Sequence, residues 1–151
     1  MCIQTFTTDF TFQLTNPNAG GITFSIRNAG TAALGPSGGG LGYGTGLPGG
    51  TPGIPTSVAV EFDLFQNSHE GNNSTGLYTN GVSPTSLAVT LGGGVNLHSS
   101  DTFQVHMTYD GTTLTKAVFP PTVLAILMVQ EFVNVALVTV SVMVIVSVVP
   151  L

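Results

Sequence analysis

Glu61 and Asp63, followed at the same two-residue spacing by Phe65 and Asn67, are the residues best placed to do chemistry in this chain. They lie in the run Val58-Ala59-Val60-Glu61-Phe62-Asp63-Leu64-Phe65-Gln66-Asn67, which alternates over its whole length. Side chains of an extended strand point to opposite faces in turn. The spacing therefore predicts Glu61, Asp63, Phe65 and Asn67 on one side, with Ala59, Phe62 and Leu64 completing the packing. Two carboxylates and an amide oxygen in a row form a hard-oxygen surface suited to Ca²⁺ or Mn²⁺. A bare Glu-x-Asp would read as solvated carboxylates; the flanking apolar and aromatic residues set this run apart.

Little else in the sequence competes. There is no Gly-x-Ser-x-Gly, no phosphate-cradling loop ahead of a helix and no cysteine pair for zinc. His69, His98 and His106 are isolated, and His106 on an alternating segment reads as a hydrogen-bonded core or surface histidine. Glu70 reads as a solvated loop charge. Gly38–Gly46 is glycine-rich, but no helix follows to bind an anion, so it reads as turns. Asn72-Asn73-Ser74-Thr75 holds two overlapping glycosylation sequons, relevant only in a eukaryotic secretory pathway.

The elements that must position these residues are strands. The chain has 151 residues, 42% apolar and only 6% charged, with 20 glycines and a formal net charge of −5. That suffices for one domain with a core. Its only basic residues are Arg27 and Lys116, too few to neutralise phosphates, which argues against nucleic acid and anionic membrane surfaces as partners. Cys2 is alone and forms no internal disulfide, and no signal-peptide pattern opens the chain. Short alternating runs between Gly/Asn/Thr/Ser-rich turns predict an all-β sandwich. Strands are expected near Phe6–Leu14, Gly21–Arg27, Ser57–Gln66, Thr75–Thr79, Ser86–Leu91, Thr102–Tyr109 and Thr112–Lys116, with a tight Asp110-Gly111 turn between the last two. The segment Gly35–Pro55 has no periodicity, and a loop of that length is expected to be functional or mobile.

Composition changes near Lys116. All glycines lie at or before Gly111, whereas Val118–Leu151 has none and contains twelve valines. A boundary is expected at about residue 117, dividing a domain of residues 1–117 from a hydrophobic tail of residues 118–151. Residues 132–149 lack charge from Phe132 onward and are long enough for a marginal membrane segment. Val138–Val148 alternates like a strand, and valine is a weaker helix former than leucine.

The metal-type strand resembles that of the legume-type (L-type) lectins, Val-Ala-Val-Glu-Phe-Asp-x-Phe-x-Asn. Further segments follow in the family's order: Phe6-Thr7-Thr8-Asp9-Phe10-Thr11-Phe12, Gly20-Gly21-Ile22-Thr23-Phe24, Gly38-Gly39-Gly40-Leu41-Gly42, Ser74-Thr75-Gly76-Leu77-Tyr78-Thr79-Asn80, and the hairpin Phe103–Leu114. The resemblance covers about Phe6 to Lys116. It implies a concanavalin A-like jelly-roll sandwich, incomplete at both ends, that binds glycans or glycoconjugates without catalysis and is secreted or held at the cell surface. By position, Glu61 would ligate Mn²⁺, Asp63 would bridge both metals, and Phe65 would offer its carbonyl to Ca²⁺ and its ring to sugar. Asn67 would ligate Ca²⁺ and donate to a sugar hydroxyl. One of Gly38, Gly39 or Gly40 would supply a backbone N–H.

This chain departs from the family pattern in three places. Gly20 stands where the family has its sugar-gripping Asp, a loss of about 1.5–3 kcal/mol. Ser74 stands where a His ligates Mn²⁺, so calcium is expected to persist in reduced form and manganese to be lost. The loop Ser68–Asn73 is short, leaving Glu70 or Asn72 as nearby oxygen donors. The tail fits nothing in the family pattern and reads as foreign to the domain, ahead of a membrane anchor or a buried strand pair. Two alternatives stand beside the lectin reading. Laminarinase-like glycosidases carry Glu-x-Asp-x-x-Glu, which Glu61–Gln66 follows until its last position; the amide of Gln66 cannot exchange the proton their mechanism needs. The other is a structural, adhesin-like module without a ligand.

Overall fold

A computed structural model describes residues 4–18, 20–46, 51–83, 88–121, 127–132 and 141–142. Among these residues nine strands follow in chain order: β1 Phe6–Gln13, β2 Gly21–Arg27, β3 Ser57–Asp63, β4 Ser74–Thr79, β5 Val89–Thr90, β6 Thr102–Tyr109, β7 Thr113–Phe119, β8 Leu127–Phe132 and β9 Ser141–Val142. They form two antiparallel sheets, one ordered β1-β6-β7-β8 and the other β5-β4-β3-β2-β9.

Alternation explains how the sheets meet. On β1 the even-numbered Phe6, Phe10 and Phe12 turn inward, while Thr7, Asp9, Thr11 and Gln13 are exposed. Phe103, Val105 and Met107 of β6 and Ile22, Phe24, Val60 and Phe62 of β2 and β3 share that core. Aromatic contacts join the two layers, with the Phe12 ring 5.0 Å from Phe62 and 5.4 Å from Phe103. The expected all-β sandwich is therefore present.

The five-stranded sheet buries its second face as well. Ala59 of β3 and Tyr78 of β4 pack there with Tyr43 and Ile54 from the long segment before β3. That segment was expected to be functional or mobile, yet much of it is tied down. Tyr43 is fully buried; Ser57 Oγ donates to its hydroxyl at 2.9 Å, and Ile54 N donates to its carbonyl at 2.9 Å. Thr23 Oγ1 on β2 donates to the Leu41 carbonyl at 2.9 Å, anchoring the 3₁₀ turn Gly38–Gly40 beside the sheet.

β7 continues past Lys116 to Phe119 and pairs with β8, while β9 pairs with the end of β2. Most of the expected membrane segment, residues 133–140 and 143–149, lies outside the described residues. Among those described, no helix is long and apolar enough to cross a membrane.

Gly21 marks where β2 approaches β3 most tightly. A Cβ built there would lie 2.1 Å from the Phe62 carbonyl oxygen. Gly21→Ala must therefore push apart the strands that present Asp63, an overpacking cost of about 1–3 kcal/mol. A urea-unfolding midpoint unchanged from wild type would contradict this close approach.

Candidate functional site

β3 presents Glu61 and Asp63 on the face away from the shared core, but the row ends there. Asp63 Oδ1 accepts the Phe65 N–H at 2.9 Å, a local turn that draws the chain out of the strand. The strand expected to reach Gln66 stops at Asp63, and Phe65 and Asn67 lie in the following loop rather than on one strand face. The hard-oxygen surface also proves to be interior: Glu61 is 1% exposed and Asp63 2%.

The loop returns to β4 through a residue the sequence undervalued. Glu70 is 2% exposed rather than solvated. Its Oε1 accepts the Asn67 N–H at 2.5 Å, and its Oε2 accepts the Ser68 N–H. Both oxygens are thus used in folding the loop back on itself. Antiparallel pairing of β3 with β4 then sets Ser74 directly opposite Asp63 and Gly76 opposite Glu61. Asn73 fixes the next loop: its Nδ2 donates to the carbonyls of Leu91 and Val95, and its Oδ1 accepts the Leu97 N–H.

His98, isolated in sequence, also supports this end of the sheet. Its Nδ1 lies 2.9 Å from the Pro17 carbonyl oxygen and its Nε2 lies 2.6 Å from that of Asn72, joining two loops. His106 is elsewhere, on the outer face of the four-stranded sheet, 2.6 Å from Asp9.

Glu61, Asp63 and Glu70 put three carboxyl groups within one buried region. Burial, then the charge of Asp63, then that of Glu70, push the Glu61 carboxyl up to about 9. Asp63 rises to about 7, mainly through burial, with the Phe65 N–H opposing and Glu70 reinforcing the rise. Both oxygens of Glu61, Oδ2 of Asp63 and Oγ of Ser74 are buried without a hydrogen-bond partner. Such acceptors cost about 1–3 kcal/mol each when nothing faces them. Among the described residues no three His, Cys, Asp or Glu side chains form a metal-holding group. The orphaned atoms here are carboxylate and hydroxyl oxygens, a chemistry that fits a hard cation.

The loop residues gather beside these carboxylates. A Cβ built on Gly39 would lie 3.0 Å from Asn67 Cγ, so the glycine turn rests against the Asn67 amide. Gly40 is buried at the end of the same turn. Phe65 is 51% exposed, its ring open to solvent beside them. Asn67 Nδ2 donates to the Phe65 carbonyl at 3.2 Å. Residues far apart in sequence, Gly39, Phe65 and Asn67, thus meet at one place. Gly20 occupies a left-handed backbone conformation, φ 74°, and its carbonyl accepts the Leu64 N–H at 2.9 Å. It ties the strand end in place but offers no side-chain oxygen.

Solved structures share this arrangement of strands. Peanut lectin, determined with a nine-residue peptide, is 25% identical with a TM-score of 0.64 over 88% of this chain and 57% of its own. Winged bean acidic lectin, complexed with methyl-α-D-galactose, is 24% identical, with a TM-score of 0.67 over 88% of this chain and 55% of its own. Lectin I from Ulex europaeus, bound to the methyl glycoside of α-L-fucose, is 24% identical, with a TM-score of 0.55 over 86% and 55%. The chain spans a little over half the length of these proteins. The family model of the legume lectin domain matches residues 2–130. With the two-sheet sandwich and the ordered motifs, that match places the chain in the legume lectin domain family.

Proposed function

We propose that this chain binds carbohydrate without catalysing a reaction, in a site supported by Ca²⁺. The observation that carries the reading is the meeting of Gly39, Phe65 and Asn67 beside a buried carboxylate pair. Glu61, Asp63, the Phe65 carbonyl and Asn67 would hold the cation, which neutralises the carboxylates and stiffens the 64–70 loop. The N–H of Gly39 or Gly40 and the Asn67 amide supply polar contacts to sugar hydroxyls. The Phe65 ring offers an apolar platform for the C–H face of a sugar. Gly20 supplies no acceptor, so affinity is expected to be weak. Manganese is disfavoured by the absence of an imidazole at position 74. The family's non-enzymatic character and the amide at Gln66, exposed in the loop, oppose glycosidase chemistry. The family's generally extracellular character supports placement outside the cell.

The test is calorimetric titration of the full chain with methyl galactosides and fucosides, with Ca²⁺ and with chelator. Binding is expected only with Ca²⁺. Phe65→Ala removes the ring but keeps the carbonyl. It should weaken sugar binding by about 1–2 kcal/mol, roughly five- to thirty-fold. If Ca²⁺ stabilises the fold yet no glycan binds at millimolar concentration, the ligand-free structural module is the better description. Release of reducing sugar from β-glucans would establish the glycosidase alternative.

A further inference from the structure

Asn72-Asn73-Ser74 and Asn73-Ser74-Thr75 are the only N-glycosylation sequons in the chain, and they overlap. Sequence alone does not choose between them; the hydrogen bonds do. Asn73 spends its whole side chain inside the fold. Its Nδ2 donates to the Leu91 carbonyl at 3.0 Å and to that of Val95 at 2.9 Å, and its Oδ1 accepts the Leu97 N–H at 2.8 Å. A glycan bonded to Nδ2 would replace one of its two N–H groups, so one of those carbonyls would lose its donor. The first sugar ring would also have to enter the space where the amide now meets Leu91 and Val95, both buried in the core. Asn72 is placed differently. It is exposed and held through its backbone, its carbonyl oxygen 2.6 Å from His98 Nε2.

We propose that Asn72 is an N-glycan acceptor, and that the folded protein carries no glycan on Asn73. The proposal rests on the placement outside the cell given above, which takes the chain through a secretory pathway. The donor is an oligosaccharide carried on a lipid diphosphate. Asn72 Nδ2 forms a bond to the anomeric carbon and gives up one proton; the bond from that carbon to the phosphate oxygen breaks, and the lipid diphosphate leaves. Ser74 and Thr75, whose hydroxyls complete the two sequons, are buried in β4. A transferase therefore reaches them only before β4 pairs, and folding then sorts the products. A chain modified on Asn72 closes with its glycan in solvent. A chain modified on Asn73 cannot seat that amide against Leu91 and Val95. The glycan leaves from the loop between β3 and β4, giving that surface a bulky, hydrated cover.

The experiment expresses the full chain behind a cleavable secretory leader in yeast and isolates the folded, protease-resistant protein. Its glycans are removed by peptide-N-glycosidase in water enriched in heavy oxygen, which marks the asparagine that bore them for mass spectrometry. Because the leader supplies the route, the result tests the acceptor and not the native location of the chain. The label is expected at Asn72 alone. Asn72→Gln leaves the backbone contact to His98 intact, so this variant should fold and lose the glycan completely. Thr75→Val removes the second sequon without touching Asn73, and should keep the glycan at wild-type occupancy. Label on Asn73 in the folded protein, or folded wild type that carries no glycan, would overturn the proposal.

Discussion

Without metal, the protein is expected to lose stability as pH rises from about 4 to about 9, and Ca²⁺ is expected to offset part of that loss. In the unfolded chain Glu61 and Asp63 release their protons near the ordinary values of 4.5 and 3.8; in the fold they release them near 9 and 7. Raised folded values mean that the native state holds more protons throughout the window between. Stability therefore falls with pH, by about 1.4 kcal/mol per pH unit for each group within its own window. The contribution is complete below the unfolded values, is lost for Asp63 as pH approaches 7 and is lost for Glu61 as it approaches 9. Both groups are nearly inaccessible, so solvent screens little of the effect. Several kcal/mol is a large share of the 5–15 kcal/mol typical of a folded domain.

Ca²⁺ needs the deprotonated oxygens, so its stabilising effect should be small at pH 5 and grow with pH. At 100 times its dissociation constant it adds about 2.7 kcal/mol. Urea unfolding at pH 5, 7 and 9, in metal-free buffer and in Ca²⁺, measures both trends. Metal-free stability that stays flat or rises between pH 5 and 9 would mean that the two carboxyl groups are not buried together.

Phe62→Ala is expected to be the most damaging single truncation, at about 3–5 kcal/mol. Phe62 is completely inaccessible, with its ring 5.0 Å from Phe12, and through Phe12 it links the two sheets. Removing it leaves a cavity in the layer that joins them, and the resulting slack lies between Glu61 and Asp63 in the chain. Loss of stability should therefore come with weaker Ca²⁺ binding. Phe65→Ala, three residues on, is the internal comparison. Its ring is half exposed, and surface truncations of this kind usually stay within about 0.5 kcal/mol. Equal denaturation midpoints for the two variants would contradict the assigned alternation of β3.

Strand positions were legible in the sequence because they rest on a local rule. Period-two alternation and turn residues predict Gly21–Arg27 and Thr102–Tyr109 with the bounds found, and β1, β3, β4 and β7 to within a few residues. Errors gathered at strand ends, where local side chains compete with the ladder. Asp63 looked like a strand residue in mid-run, but its carboxylate captures the Phe65 N–H and ends the strand there. No periodicity announces such a capture.

Placement of the candidate site shows the same division. The types Glu61, Asp63, Phe65 and Asn67 at their spacing, with the glycine run 38–40, were enough to point to oxygen ligation and sugar contact. Tertiary structure decided the environment of those groups. Glu70, which looks like any loop carboxylate, is buried because two backbone N–H groups of its own loop need an acceptor. The β3–β4 register, which no local pattern gives, sets Ser74 directly across from Asp63. Gly39 lies against Asn67 in a turn that Thr23 helps anchor to β2. By itself, then, the sequence determined the class of fold and the alternation along most of each strand, since these follow from side-chain type and a two-residue period. Only the tertiary structure decided which donors are buried, paired or left open, because that depends on backbone groups brought together from distant parts of the chain.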